Sequence, residues 1–222
     1  MITVHHLNNS RSQRVLWLLE ELGVPYEIRH YQRDPKTMLA PPALRAVHPL
    51  GKSPVISDGD TVVAESGAIL EYILDRHGEG RLRPAAGTPE HLRYRYFLHY
   101  AEGSLMPLML LALVFQRMTR QKAPFFIKPI LKGIAQQANQ QLVGPQTKLH
   151  LDHIEGELKG RRWLLGDTLS AADIQMSFPI EAAAVRAGFL PRYPELARYL
   201  DQIRAEPGYQ RALQKGGPFK LG

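Results

Sequence analysis

The chain has 222 residues, and its content of 44% hydrophobic and 22% charged residues is typical of a globular protein with one large domain or two small ones. Cysteine is absent, which excludes disulfide bonds, cysteine-ligated zinc and a protein thiol nucleophile. The net charge of +7 comes without an aromatic-interleaved basic motif or a recognition-helix pattern, so nucleic-acid binding is not expected.

Residues 1–80 alternate between strand and helix patterns. A β-branched, apolar run predicts a strand at Ile2–Leu7, and apolar residues at helical spacing then predict a helix that ends at Gly23. Further along, the patterns predict a strand at Tyr26–Tyr31, a helix at Lys36–Val47, a hairpin of Pro54–Ile56 and Thr61–Val63, and a helix from Ile69 to Gly78.

From Thr88 onward nearly all of the pattern is helical, and the Pro- and Gly-rich stretch Gly78–Pro89 indicates a linker. We therefore predict an α/β domain with the order β-α-β-α-β-β-α at residues 1–80 and an all-helical domain at residues 88–222. The N-terminus lacks the layout of a signal peptide, and the longest apolar run is too short to span a bilayer. We expect a cytoplasmic protein without membrane attachment.

One helix start in the predicted helical domain carries a strong capping signal, in the segment Gly166–Asp173. Ser170 can cap the backbone N–H of Asp173, and the Asp173 side chain can reach back to the serine N–H. This pattern predicts a capping box with aspartate in place of the usual glutamate, and we assign it to folding rather than to chemistry.

A basic stretch lies in the same half of the chain, because no acidic residue occurs between Glu102 and Asp152. A solvated surface is the simplest interpretation. A positive field that draws in an anionic small molecule is the alternative, and nucleic-acid binding is the least favoured. The basic residues of this stretch are Arg117, Arg120, Lys122, Lys128, Lys132 and Lys148.

Three segments of the α/β domain converge if its elements form one sheet, because ligands of open α/β sheets gather at strand ends. At one of them, Glu65 and Ser66 lie between a strand and a helix. A helix N-terminus attracts a carboxylate, the Ser66 hydroxyl adds a hydrogen bond, and Glu65 can pair with an ammonium group. Together they fit an amino-acid head group, whereas Ser66 alone is typical of an ordinary N-cap.

The loop before the third strand is the second segment. Pro54 enters a strand after a loop, which makes it a candidate for a cis peptide bond or for a plain strand-edge proline. A cis bond would leave the backbone of Val55 ready to pair with an extended peptide ligand. Lys52 could contact an anionic group.

Ser10 follows the first strand and forms the third segment. No G-x-S-x-G elbow or adjacent histidine makes it a nucleophile. A serine beside a helix N-terminus can instead donate a hydrogen bond to a thiolate, and a decrease of ~2 units in a thiol pKa corresponds to about 2.7 kcal/mol. Taken by itself, Ser10 is a turn serine.

In this order and spacing, these segments resemble the cytosolic glutathione transferase family, of a serine-type, bacterial- or fungal-like class, over essentially the whole chain. The resemblance implies a thioredoxin-like domain that holds glutathione as co-substrate, with no metal or other cofactor. It also implies a helical domain with a pocket for a small apolar electrophile, a role in detoxification, and a homodimer. The segments that carry it are Ser10 ahead of Arg14-Val15-Leu16, the loop Pro49–Val55, Glu65-Ser66, and Gly166–Asp173.

The resemblance also implies a role for individual residues. Ser10 stabilises the thiolate, Pro54 and Val55 clamp the cysteinyl unit, and Glu65 and Ser66 bind the γ-glutamyl group. Lys52 contacts the glycyl carboxylate. Asn9 and Ser12 are possible substitutes for Ser10, because Arg11 stands where many relatives carry a smaller residue, and the electrophile pocket is expected at Tyr100, Ser104, Met106 and Phe115.

The leading functional hypothesis is an enzyme that adds glutathionate to an apolar electrophile or uses it to reduce an organic hydroperoxide. The alternative is a non-catalytic module with the same fold that binds apolar ligands or a protein partner. A metal enzyme is a third hypothesis, since His150 and His153 share a helix face, but no third ligand is evident.

Overall fold

The computed structural model describes residues 1–187 and 190–217. Its N-terminal part is built on a four-stranded sheet with the order β2-β1-β3-β4, in which β1 is Ile2–Leu7. β1 pairs in parallel with β2 and antiparallel with β3, which matches the predicted α/β class. The remaining elements of this part are α1 (Ser12–Leu22), β2 (Tyr26–Tyr31), α2 (Pro42–Val47), β3 (Val55–Asp58), β4 (Thr61–Ala64) and α3 (Ser66–His77).

The first helix packs its apolar side chains into the core. Val15, Leu16, Leu18 and Leu19 are all fully buried, and the helix ends where Gly23 adopts a left-handed φ of 68°. Glycine takes that conformation without a Cβ clash, so it terminates the helix and lets the chain turn back into β2. Burial of this run stabilises the packing of α1 against the sheet by about 25 cal/mol for each Å² of apolar surface removed from water.

The second helix is shorter than the predicted span Lys36–Val47, because it begins only at Pro42. The Asp34 carboxylate accepts hydrogen bonds from the backbone N–H groups of Lys36 and Thr37, at 2.9 and 2.7 Å. This local turn competes with helix formation, and a proline favours the first helical position over the interior.

The rest of the described chain is helical, as predicted, and the sequence-based fold class is confirmed. α4 runs directly through a π-helical segment, Ala101–Leu105, into α5, so residues 89–120 form one helical stretch. The helices are α4 (Pro89–Tyr100), α5 (Met106–Arg120), α6 (Lys128–Ala138), α7 (Gly144–Leu158), α8 (Ala171–Ala187), α9 (Pro194–Ala205) and α10 (Pro207–Gly216), with a second π-helical segment at Asn139–Val143 and a 3₁₀ turn at Leu190–Arg192.

By length and composition alone, the stretch Pro89–Arg120 passes the test for a membrane-spanning helix. In this fold it contributes Tyr94, Phe97 and Leu105 to the core, each with no solvent exposure. α4 and α5 both pack against α8. Core helices of globular proteins satisfy the same criterion, and we assign the stretch to the core.

The predicted capping box at the start of α8 forms only in part. The Asp173 carboxylate accepts from the Ser170 backbone N–H at 2.9 Å, as expected. The Ser170 hydroxyl, however, donates to Asp173 at 2.7 Å instead of capping the N–H of Asp173. The prediction that the Ser170 hydroxyl accepts from the Asp173 N–H was wrong, because the aspartate oxygen is a stronger acceptor and lies within reach of the hydroxyl.

Asp173 also joins α8 to its surroundings, since it accepts from the Leu164 N–H at 2.9 Å and from the Tyr199 hydroxyl at 3.0 Å. The side chain is fully buried, and burial raises its pKa above the usual value for aspartate. These four donors are the reason why a carboxylate is tolerated at this depth.

We predict that Asp173→Ala lowers the free energy of unfolding by about 3–5 kcal/mol, because it leaves several buried donors without an acceptor. Asp167→Ala, in the same motif but exposed, should change it by less than about 0.5 kcal/mol. Urea denaturation followed by circular dichroism measures both. Equal stability of the two variants would show that Asp173 is not a structural anchor.

Candidate functional site

Ser10 lies in the turn between β1 and α1 and is 3% exposed. Its Oγ is 2.7 Å from the Ser12 Oγ and 3.1 Å from the Ser53 Oγ. The Ser12 backbone N–H, at the first residue of α1, points to the same oxygen at 3.3 Å. The turn after β1 and the loop before β3 therefore meet at Ser10, as the sequence predicts.

The hydroxyl chain continues inward to a histidine. The Ser12 Oγ is 2.8 Å from the Nδ1 of His6, a buried residue of β1. Burial lowers the pKa of His6 to about 4, helped by the nearby His30 and opposed by a hydrogen bond to the Gly216 carbonyl. Because the carbonyl accepts the ring N–H, Nδ1 is the acceptor, so Ser12 donates to His6 and Ser10 donates to Ser12.

The C-terminal end of α10 closes over this chain. A Cβ placed on Gly216 would lie 2.7 Å from Leu16 Cδ1, 2.9 Å from Gln13 Oε1 and 3.2 Å from His6 Cε1. These separations are shorter than ordinary van der Waals contact, so a larger residue would require the side chains of Leu16 and Gln13 to shift. The close approach keeps the imidazole out of water.

Ser66 begins α3 and is 2% exposed. Its Oγ accepts hydrogen bonds from Arg14 Nη1 and from Gln175 Nε2, both at 3.1 Å. The hydroxyl proton of Ser66 is then left to donate elsewhere. Glu65, the residue before it, has a left-handed φ of 70°, a conformation that costs a non-glycine residue of order 1–3 kcal/mol and is concentrated at functional sites.

Arg14 connects this corner to the helical region. Its guanidinium is 1% exposed and donates to Glu102 at 2.6 Å, while Arg11 donates to the same carboxylate at 3.1 Å. Burial lowers the pKa of Arg14 to about 10, and Glu102 opposes that shift. Burial alone would raise the pKa of Glu102, but the two guanidiniums outweigh it and bring the value below the usual range.

Sequence reasoning did not identify Arg14, Glu102 or Gln175 as members of the site. The signal that could have revealed Arg14 is a charged residue just ahead of the apolar run Val15–Leu19 of a core helix. Nothing local marks Glu102 or Gln175, because each reaches the site only through tertiary packing.

The loop that holds Ser53 carries the other predicted glutathione-binding residues. The Ser53–Pro54 peptide bond is cis, which is one of the two alternatives that the sequence left open for Pro54. Val55 is fully buried and begins β3, opposite Ala64 of β4. Lys52 is exposed on the rim of the loop, available to an anionic group.

The residues predicted for the electrophile pocket all lie on the continuous helical stretch of residues 89–120. Tyr100 hydrogen-bonds His150, and its ring centroid is 5.8 Å from that of His153, so it packs on α7. Met106 is 5% exposed within the core. Ser104 and Phe115 are half-buried on the helical stretch that also carries Glu102.

His150 and His153, considered as metal ligands, are engaged with tyrosines. His153 Nε2 is 3.0 Å from the Tyr96 hydroxyl, and His150 pairs with Tyr100. Within residues 1–187 and 190–217, no group of three or more His, Cys, Asp or Glu side chains is arranged to hold a metal ion. This arrangement gives the metal hypothesis no support.

The depressed pKa of His6 has a consequence for stability. Since its pKa is about 4 in the fold and 6.5 in the ordinary state, the unfolded chain binds more protons between these values. The free energy of unfolding should therefore fall by about 3 kcal/mol from this residue alone as the pH drops from 6.5 to 4, and should not change from it above 6.5.

His6→Gln should remove that part of the pH dependence, while His99→Gln, on the exposed side of α4, should retain it. Urea denaturation at several pH values between 4 and 7.5 measures the difference from the wild type. A parallel pH dependence of H6Q and the wild type would contradict the buried, neutral state of His6.

Comparison with known proteins agrees with this fold. The N-terminal domain family of glutathione S-transferases matches residues 10–76, and the C-terminal domain family matches residues 112–207. The chain is 34% identical to glutathione S-transferase 1 of Saccharomyces cerevisiae, covering 97% of this chain and 95% of the yeast protein. It is also 34% identical to glutathione S-transferase 3 of Schizosaccharomyces pombe, over 97% of this chain and 88% of that protein.

A solved structure also matches the fold of this chain. A glutathione S-transferase from Actinobacillus pleuropneumoniae superposes with a TM-score of 0.83 at 38% sequence identity, covering 100% of this chain and 95% of that one. The matches extend through both the sheet-containing part and the helical part. The chain therefore belongs to the glutathione S-transferase family.

Proposed function

We propose that this protein is a glutathione transferase that holds the glutathione sulfur beside Ser10 and keeps it ionised. The observation that carries the proposal is the position of the Ser10 hydroxyl, buried between the start of α1 and the loop ending at Pro54. A hydroxyl donor and the positive end of a helix both favour a thiolate over a thiol.

The reaction follows from the ionised sulfur. The thiolate attacks an electrophilic carbon, while the pocket supplies orientation and excludes part of the water. When glutathione binds, the Ser10 hydroxyl turns its one proton from Ser12 to the sulfur, and Ser10 forms no covalent bond. As a side activity we propose reduction of an organic hydroperoxide, in which two glutathione molecules give a disulfide and the hydroperoxide gives an alcohol and water.

The remaining contacts to glutathione are proposed around the same crevice. Glu65 faces the α-ammonium of the γ-glutamyl group and Ser66 its carboxylate, with Arg14 and Gln175 fixing the serine oxygen. The backbone at Pro54 and Val55 pairs with the cysteinyl unit. Lys52, exposed on the rim, reaches the glycyl carboxylate.

We extend the proposal to the separate roles of the two parts of the chain. Residues 1–80 would bind glutathione, and residues 88–222 would form the pocket for the electrophile and, through α4 and α7, a homodimer contact. Exposed apolar side chains on those two helices support the contact: Leu92 is 71% exposed and Leu149 is 62% exposed. Detoxification in the cytoplasm remains a prediction from the sequence.

Ser10→Ala should raise the pKa of the enzyme-bound glutathione thiol by about 1–2 units, because the sulfur loses a donor worth roughly 1.5–3 kcal/mol. Turnover at neutral pH should fall in proportion to the lost thiolate. Thiolate absorbance near 240 nm, titrated against pH with the pure protein, measures the pKa directly.

Ser12→Ala and Ser53→Ala are the matched controls. Both hydroxyls contact Ser10 but are one hydrogen bond further from the proposed position of the sulfur. Each should move the thiol pKa by less than Ser10→Ala. If Ser12→Ala has the larger effect, the donor to sulfur is Ser12. If none of the three variants moves it, a hydroxyl does not stabilise the thiolate.

Glu65→Gln should weaken glutathione binding by about tenfold, because a charged hydrogen bond to the α-ammonium is lost. The same substitution should have little effect on an analogue that lacks the α-amino group. Calorimetric Kd values for both ligands, with exposed Glu79→Gln as the control variant, test the assignment. Equal weakening of both ligands would indicate that Glu65 only supports the backbone.

A further inference from the structure

The corner between α5 and α6, residues 120–128, exposes two adjacent aromatic side chains. Phe125 is 85% exposed and Phe126 is 62% exposed. Their ring centroids are 5.6 Å apart and the ring planes are perpendicular, so the two side chains form one apolar patch. Phe125 is the most exposed large apolar side chain in the part of the chain that the structure describes. Exposed apolar residues are ordinary when they are scattered singly, but an adjacent pair indicates a contact surface.

The packing of the helices does not require these rings. The N–H groups of Ile127 and Lys128 donate to the Pro124 carbonyl at 3.0 and 3.3 Å, and this turn leads into α6. The side of α6 that faces the protein carries Ile127, Leu131 and Ala135, which are spaced four residues apart and are half-buried or buried. The turn therefore holds the phenylalanine pair in water rather than in the core.

Basic residues lie on both sides of the pair. Arg120 and Lys122 come before it and Lys128 comes after it, and all three are exposed. Because a chain extends by at most about 3.6 Å per residue, the Cα atoms of Lys122 and Lys128 lie within about 11 Å of a phenylalanine Cα. Lys132, one turn beyond Lys128, is on the same side of α6 and is also exposed. We call these four basic residues the corner cations.

No acidic side chain balances this charge. Among residues 1–187 and 190–217, none of the corner cations forms an ion pair. The sequence between Glu102 and Asp152 contains no acidic residue. The apolar pair is thus flanked by uncompensated positive charge, which favours a partner with an anionic surface.

This combination favours a lipid surface over a protein partner. The buried centres of protein interfaces are depleted in lysine, because its charge would lose water there. At an anionic bilayer, the lysine stems lie along apolar material while the charged ends stay among the headgroups. Phenylalanine rings enter the boundary between headgroups and acyl chains, where they leave water.

We infer that the α5–α6 corner docks the protein reversibly on an anionic lipid surface, with Phe125 and Phe126 at the boundary between headgroups and acyl chains and the corner cations against the headgroups. The contact involves one face of the bilayer and no spanning segment. It departs from the sequence-based expectation of no membrane attachment, because that expectation considered only signal peptides and spanning runs. It does not depend on the transferase reaction.

Sedimentation with sucrose-loaded vesicles tests the inference. The full chain should bind vesicles of mixed phosphatidylcholine and phosphatidylserine, and should bind phosphatidylcholine alone at least about tenfold more weakly. The double variant Phe125→Ser, Phe126→Ser should lower the partition coefficient on the mixed vesicles by about tenfold or more, because apolar burial is lost. Leu39→Ser, at a 50% exposed apolar residue of the α/β domain, is the matched control and should change it by less than about twofold.

Charge variants test the contribution of the corner cations. Lys122→Gln and Lys128→Gln should each weaken binding to the mixed vesicles by about fivefold, the effect expected of one cation near an anionic surface. Lys159→Gln, exposed and outside the basic stretch, should change binding by less than about twofold. An increase in ionic strength from about 0.1 M to about 1 M should weaken wild-type binding, since the Debye length falls from about 10 Å to about 3 Å.

A tryptophan variant keeps the inference testable if the serine double variant fails to fold. Phe125→Trp preserves an aromatic ring, so it should bind the mixed vesicles as well as the wild type does, and its added fluorescence emission should shift to the blue on binding. The native tryptophans, Trp17 and Trp163, are buried and should not respond.

Three results would each overturn the inference: no binding of the wild type to the mixed vesicles, equal binding by the folded serine double variant, or no blue shift in Phe125→Trp. A change of oligomeric state in the double variant, with vesicle binding unchanged, would also overturn it and would show that a second copy of the chain covers the pair. Thiolate formation on bound glutathione is measured separately, so its failure would overturn the transferase proposal alone.

Discussion

The buried charge of Arg14 is the interaction on which the rest of the site depends. A guanidinium with 1% exposure is tolerated only because it meets the Glu102 carboxylate and the Ser66 oxygen. Loss of Glu102 would leave a buried cation without its ion-pair partner, which costs several kcal/mol. The same contacts join α1, α3 and the helical region at one point. The position of Ser10, at the head of α1, is therefore coupled to that of Ser66.

Much of the fold could be predicted from the sequence, because its signals are local. Period-2 and helical spacing identified the strands and most helices, and Gly23 marked a helix end correctly. The start of α2 was missed because the Asp34 turn is a side-chain effect that periodicity does not record. The Ser170 hydroxyl was predicted to accept from the Asp173 N–H but donates to the Asp173 carboxylate, another side-chain effect that periodicity does not record.

The candidate site was predictable only where its residues lie next to a strand end. Ser10 and Ser53 come together as sheet topology requires. Glu102 and Gln175 reach the site from helices far along the chain, and no local pattern indicates which helix face turns toward the sheet. Tyr100 depends on packing in the same way, because no local pattern predicts its hydrogen bond to His150 of α7.

The glycine at the end of α10 has a consequence beyond packing. Since a Cβ on Gly216 would lie within 2.7 Å of Leu16 and 3.2 Å of His6, α10 covers the hydrogen-bonded chain from His6 to Ser10 closely. A larger residue at position 216 would displace α10 and admit solvent to the His6 imidazole. The proposed reactivity of a sulfur bound beside Ser10 would then depend on how closely α10 packs against α1.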